Sequence, residues 1–158
     1  MSRMERSRTE TAPGMDWGLL NNSIGTGVRL LRNELVDRIV EAYAPFALRS
    51  GALSTMVLIK ANPGCSQSEL AREVAMDDSA MVAIIDELEQ RDLAVRRRST
   101  ADRRRNSLAL TPAGEALMHE MINAANVVER PLREAMSDAE VETLIALLRR
   151  AYVAITTG

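Results

Sequence analysis

The chain has 158 residues, 46% of them hydrophobic and 27% charged, with a formal net charge of −2. This bounds it to about one domain with its own core and excludes disorder along its whole length. Aromatic residues (Trp17, Tyr43, Phe46, Tyr152) make up only 3%, too few for a ring platform that binds single strands, and the lone Cys65 and lone His119 exclude an internal disulfide and a Cys/His metal cluster.

Residues 1–15 are polar and mixed in charge, and Pro13-Gly14 falls at their end, so they read as a mobile tail. A helical pattern starts at Asp16 and fills 16–48. Leu20, Ile24, Val28, Leu31, Leu35, Ile39 and Phe46 form one apolar stripe, widened by Leu19, Leu30, Val36, Val40 and Tyr43. A helix apolar on two sides needs two partners, which predicts a dimerisation seam. Gly25 and Gly27 each weaken a helix by roughly 1 kcal/mol; either another helix comes close there or the helix begins after them. Pro45 ends it.

Residues 49–111 carry the densest signals. A helix from Ser50 or Gly51 holds Leu53, Met56, Val57, Leu58 and Ile59 and stops at Asn62-Pro63-Gly64. Ser66-x-x-Glu69 has the form of a capping box and opens a short helix to about Val74. Asp77 or Asp78 caps the next, in which Met81, Ile84, Ile85 and Leu88 face inward, up to Arg91-Asp92. Residues 93–96 and 107–110 read as two strands around a polar loop. Two short helices and an arginine-loaded hairpin make a winged helix-turn-helix, a device for duplex DNA. Thr111 and Pro112 then cap a long helix that Pro131 kinks or ends, and Ser137-x-x-Glu140 opens the last. Residues 112–158 are thus C-terminal dimerisation helices, and the fold class is mainly α with a small β wing.

Charge is distributed unevenly. Residues 91–105 hold seven arginines against Asp92 and Asp102, a local +5 that leaves −7 for the rest of the chain. A basic stripe on an acidic body orients a protein on a polyanion. Arg98, Arg103, Arg104 and Arg105 are candidate phosphate or minor-groove contacts, with Asp102 holding one arginine in place. The plain alternative is a solvated charged loop. Gln67, Ser68 and Arg72 are candidate phosphate contacts of the first short helix.

Several linked motifs carry a resemblance. Asp102-Arg103-Arg104, the five residues Arg105 to Ala109 and then Leu110-Thr111 follow the wing signature Asp-x-Arg-x5-Leu-Thr, and Ser68-Glu69-Leu70-Ala71, Leu88-Glu89-x-Arg91 and a Leu-Thr-x-x-Gly ending at Gly114 stand at matching spacings. From about Leu53 to Gly114 the chain resembles the MarR (multiple antibiotic resistance regulator) family of bacterial transcription factors. The resemblance implies a homodimer on a palindromic operator, mostly as a repressor. It also implies release by a small phenolic or carboxylate ligand bound between the dimerisation and DNA-binding parts. Two departures stand out. Asp92 replaces the usual glycine of the turn, and Val82 and Ala83 replace a common threonine and arginine, leaving Ser79 as the polar reader. Base readout must then lean on Ala80, Val82 and Ala83 against thymine methyls, or on DNA shape.

Where the family keeps its pocket, Arg29, Arg32, Arg49, Met56, Met118 and His119 are candidate contacts for an aromatic acid or an acyl-CoA thioester. The plain readings are surface arginines, packed methionines and an exposed or satisfied histidine. Cys65 is a minor candidate for redox sensing. No nucleophile stands with a base and no glycine-rich phosphate loop is visible, so no enzyme, metal or cofactor is expected. The competing class is a winged-helix protein–protein module without DNA binding, which would have no use for the local +5. No apolar run approaches the roughly 18 residues of a membrane span and no signal peptide is visible, so a cytoplasmic protein without membrane contact is expected.

If the wing grips phosphate, Arg104→Ala should weaken binding to every duplex and reduce the log–log salt slope by about 0.9, the share of one neutralised phosphate. Titrations at several salt concentrations check this; an unchanged slope removes the wing from the interface.

Overall fold

A computed structural model describes residues 15–74, 76–98 and 106–157, and the side chains of Arg97, Arg98 and Asn106 also lie outside the description. The order is α1 (Ile24–Tyr43), α2 (Ala52–Ala61), α3 (Gln67–Glu73), α4 (Asp78–Gln90), β1 (Ala94–Arg98), β2 (Asn106–Leu110), α5 (Pro112–Glu134) and α6 (Asp138–Thr156), with 3-10 turns at Gly18–Asn22 and Ala44–Phe46. The chain divides after Asp37 into a short N-terminal unit and a body that starts at Arg38. Among the described residues no helix is long and apolar enough to cross a membrane.

The first helix starts later than its apolar stripe predicts. Gly18, with φ +51, and the 3-10 turn precede it, and the Ser23 hydroxyl accepts the Thr26 N–H at 3.2 Å to open α1 at Ile24. Gly25 and Gly27 therefore lie inside the helix. At the other end the Ala44–Phe46 turn, with Pro45 at its centre, follows Tyr43, and Ala47 takes a left-handed φ of 49. Pro131 neither ends nor caps α5, which runs on to Glu134; the proline removes one N–H from the ladder, and Ala135 closes the helix by donating to its carbonyl.

The other termini follow their capping residues. Ser66 and Ser137 each accept from the backbone N–H three residues on, while Glu69 and Glu140 accept from the serine's own N–H, which makes two complete capping boxes. Asp77 caps α4, and Thr111 with Pro112 starts α5. The turn out of α4 is a Schellman motif. Leu93 N–H bonds Leu88 carbonyl, Asp92 N–H bonds Glu89 carbonyl, and Asp92 sits at φ 55 where glycine is usual. Leu93 thus closes a helix, so β1 begins one residue later than its hydrophobicity predicts and runs on to Arg98. The two strands pair antiparallel from Ala94↔Leu110 to Arg98↔Asn106.

The body's core has two parts that share α4. Ile84 and Leu88 pack with Ala52, Met56, Leu93, Ala94, Met118 and Met121. Met81 and Ile85 pack with Ile59, Leu70, Ala71 and Leu108. Each large side chain so enclosed stabilises the fold by roughly 1.5–3 kcal/mol. α6 is different: it has no buried residue, and Ile145, Leu147, Leu148, Tyr152, Val153 and Ile155 are exposed along it. Within the N-terminal unit, Leu19, Leu20, Ile24, Val28, Leu30, Leu31 and Val36 are likewise exposed.

One contact joins the wing to α5. Thr111 N–H bonds Leu93 carbonyl at 3.0 Å, and the Thr111 hydroxyl donates to Asp92 carbonyl at 2.6 Å while accepting Gly114 N–H at 3.0 Å. Gly114 lies so close beneath that a Cβ there would stand 1.9 Å from the Leu93 carbonyl oxygen. The Leu-Thr-x-x-Gly pattern is therefore a close-packing device. Gly114→Ala should destabilise the protein by about 1–3 kcal/mol or more, because backbone on both sides must move. The denaturation midpoint measures it, and an unchanged midpoint would mean the strand and helix part easily.

Candidate nucleic-acid interface

α3 and α4 pack on each other, and α4 carries β1 on its other flank. With Met81, Ile84, Ile85 and Leu88 buried, the opposite face of α4 turns outward. Ser79 and Val82 are exposed on it, and Ala80 and Ala83 are half-buried. α4 contains no lysine or arginine. The Ser79 hydroxyl is engaged: it donates to Asp77 Oδ1, which also accepts Ala80 N–H at 2.8 Å. To read a base, Ser79 must give up or share that bond. On α3, Ser68 and Arg72 are exposed, and Gln67 is half-buried with Oε1 3.4 Å from Arg96 Nη2.

Two of the arginines in the basic run, Arg91 and Arg96, fasten the protein to itself. Arg91 Nη1 donates to the Phe46 carbonyl at 2.9 Å and the Ala47 carbonyl at 3.1 Å, tying the end of α4 to the turn after α1. Arg96 pairs with Asp86 and Glu89 of α4. The spacing of those two carboxylates, three apart on one helix face, was the available signal. Arg103, Arg104, Arg105 and Asp102, and the Arg98 side chain, lie outside the described residues.

The body also holds a cleft of about 270 Å³, lined by Ile39, Tyr43, Arg49, Ser50, Gly51, Ala52, Leu53, Ser54 and Met121. Of the residues expected near a ligand, Arg49 lines it. Met56 and Met118 are packed in the core, and His119 is exposed on α5. Arg29 and Arg32 are exposed on the part of α1 that belongs to the N-terminal unit. Sequence reading did not single out Tyr43 or Ser54 for this cleft. Burial, then the nearby Glu129 carboxylate, raises the Tyr43 hydroxyl above its ordinary pKa, so it stays a neutral hydrogen-bonding group at physiological pH. Cys65 is half-buried against Ile59 and its neighbours; burial first, and Glu69 second, raise its thiol pKa, which works against oxidant sensing.

A helix pair whose second member turns one face outward, followed by a two-stranded hairpin, defines a winged helix-turn-helix, the class of protein that docks on duplex DNA. The model of the MarR family matches residues 48–105. A protein of Thauera aromatica described as a transcriptional regulatory protein for the hcr operon is 38% identical over 102 residues, 65% of this chain; the match spans 61% of that relative's length. Among solved structures, the transcriptional repressor CouR bound to a 23-mer DNA duplex superposes with a TM-score of 0.77 at 28% identity, covering 88% of this chain and 99% of that one. CouR from Rhodococcus jostii RHA1 bound to p-coumaroyl-CoA gives 0.74 at 26% identity, with 87% and 94% covered. Over residues 48–105 the chain matches the MarR family, a family of DNA-binding transcriptional regulators rather than enzymes.

The cap of α4 has a pH signature. The Ser79 hydroxyl, then the Ala80 N–H, hold the Asp77 carboxyl below its usual value. Its contribution to stability is therefore complete above the unfolded carboxyl pKa and is lost as pH falls through the lower folded value. Asp77→Asn should leave stability at neutral pH little changed and remove this part of the acid dependence. Thermal melts from neutral pH down into the acid range check it; equal acid sensitivity in both proteins would place the titration elsewhere.

Proposed function

We propose that the protein is a ligand-responsive transcriptional repressor, which occupies a palindromic operator as a homodimer and leaves it when a small aromatic acid or its CoA thioester binds. The observation that carries the reading is the divided face of α4, buried along Met81, Ile84, Ile85 and Leu88 and open at Ser79 and Val82. The DNA-bound and p-coumaroyl-CoA-bound structures of CouR support the operator and the effector class. The exposed apolar rows of α6 and of the N-terminal unit support pairing with a second copy. In a two-fold dimer of this class the recognition helices stand roughly 34–36 Å apart, one turn of DNA. The other reading, a protein-binding module, draws on the apolar Val82 and Ala83. It is disfavoured because residues 91–105 hold seven arginines, a local +5 for which a protein-binding module would have no use.

The cleft supplies a route for release. At about 270 Å³ it lies just under the roughly 300–1,000 Å³ of drug-sized sites. It suits one aromatic ring and its acid group, so the nucleotide part of a thioester would extend outside. The cation there is Arg49, whose Nε lies 3.7 Å from Glu87 Oε2 on α4 and whose backbone N–H donates to the same oxygen at 3.2 Å. A ligand carboxylate drawing on Arg49 competes with Glu87, and so acts on the helix that reads DNA. A differential affinity of about 3 kcal/mol between the two arrangements weakens operator binding more than 100-fold.

The test starts from duplexes selected out of a randomised pool, with light scattering of the complex and a series of aromatic acids and CoA thioesters as competitors. A dimer should bind a palindrome and be released. Ser54→Trp, at the cleft, should raise the effector concentration needed by at least about tenfold, the loss of roughly 1.4 kcal/mol, and leave operator affinity nearly unchanged. A monomer at micromolar concentration, or no retained duplex, would overturn the reading.

A further inference from the structure

Arg96, on β1 of the wing, reaches two helices at once. Nη1 donates to Glu89 Oε2 on α4 at 2.5 Å, and Nη2 donates to Asp86 Oδ1 on α4 at 2.7 Å and lies 3.4 Å from Gln67 Oε1 on α3. Its backbone N–H donates to the second Glu89 oxygen at 3.0 Å, so main chain and side chain of one residue grip a single carboxylate. The Arg96 side chain is 31% exposed and that of Glu89 is 27% exposed. A phosphate approaching this guanidinium would have to displace two carboxylates and meet their charge.

We propose that Arg96 is a positioning residue for duplex binding. It locks the base of the hairpin to the recognition helix and to α3, so that wing and helix meet DNA as one piece, and it makes no DNA contact of its own. The proposal rests on the DNA-binding reading above. The rival role, a direct phosphate contact, predicts opposite signs. Neutralising two carboxylates beside a polyanion should by charge alone tighten binding. If instead they hold the wing through Arg96, neutralising them should loosen it.

The experiment measures affinity for a duplex selected from a randomised pool by the wild-type protein. Asp86→Asn/Glu89→Gln should weaken binding about tenfold, and Arg96→Met by a similar factor, within the range of interaction energies of contacting groups. The triple variant should be no weaker than Arg96→Met alone, because the three residues act as a unit. Arg96→Lys should fail to restore binding, since one ammonium cannot span three acceptors. In the free protein, amide exchange across Ala94–Arg98 and Asn106–Leu110 should quicken in each variant. If the double variant unfolds, Glu89→Gln alone carries the same sign test. Unchanged or tighter binding by the carboxylate variants, or full retention by Arg96→Lys, overturns the proposal and leaves the DNA-binding reading standing. If the wild type retains no duplex, that reading fails instead, and the exchange measurement decides alone: unaltered strands in both variants overturn the clamp.

Discussion

The architecture depends on the approach of two backbones at Leu93 and Gly114. Leu93 ends the Schellman turn of α4 with its N–H and accepts the N–H of Thr111, the N-cap of α5, with its carbonyl. A side chain at position 114 would occupy the space of that carbonyl. Through this contact α4, the hairpin and α5 are joined by backbone hydrogen bonds, and Leu88, Leu93, Ala94, Met118 and Met121 pack around the junction. The two hydrophobic clusters then fill in on either side of α4, one against α2 and α5, the other against α2, α3 and β2.

Electrostatics divides the same small region by purpose. Within a run that looks uniform in sequence, Arg91 and Arg96 fasten the protein to itself. Arg91 satisfies two carbonyls of the turn after α1, where an open backbone acceptor would otherwise need water. Arg96 satisfies carboxylates of α4. Exposed pairs such as those of Arg96 add little to stability; what they do is hold the hairpin against α4.

Much of this fold was legible because the signals were local. Ser66, Asp77, Thr111 and Ser137 announced their helices by caps whose partners stand within three residues, and the inward face of α4 followed from periodicity alone. Asp92 in place of glycine kept its turn, since a short acidic side chain tolerates the left-handed conformation. What was misread depended on partners distant in sequence or on weak local rules. The start of α1 was set by Ser23 and a preceding 3-10 turn, against a stripe of leucines that argued for an earlier one. The hydrophobicity of Leu93 hid its role as a helix stop. The tasks of Arg91 and Arg96 required knowing which carbonyls and carboxylates the fold would bring to them.

The bare apolar row of α6 has a consequence for the life of the chain before it ever meets DNA. A newly made copy with Leu147, Leu148, Tyr152 and Ile155 facing water is a sticky object, and any surface of similar character can capture it. If its proper cover is another copy of itself, correct assembly is a race whose rate rises with the square of the local concentration, while capture by foreign surfaces rises only in proportion. Synthesis of several copies from one message, close together in space, then favours the right outcome.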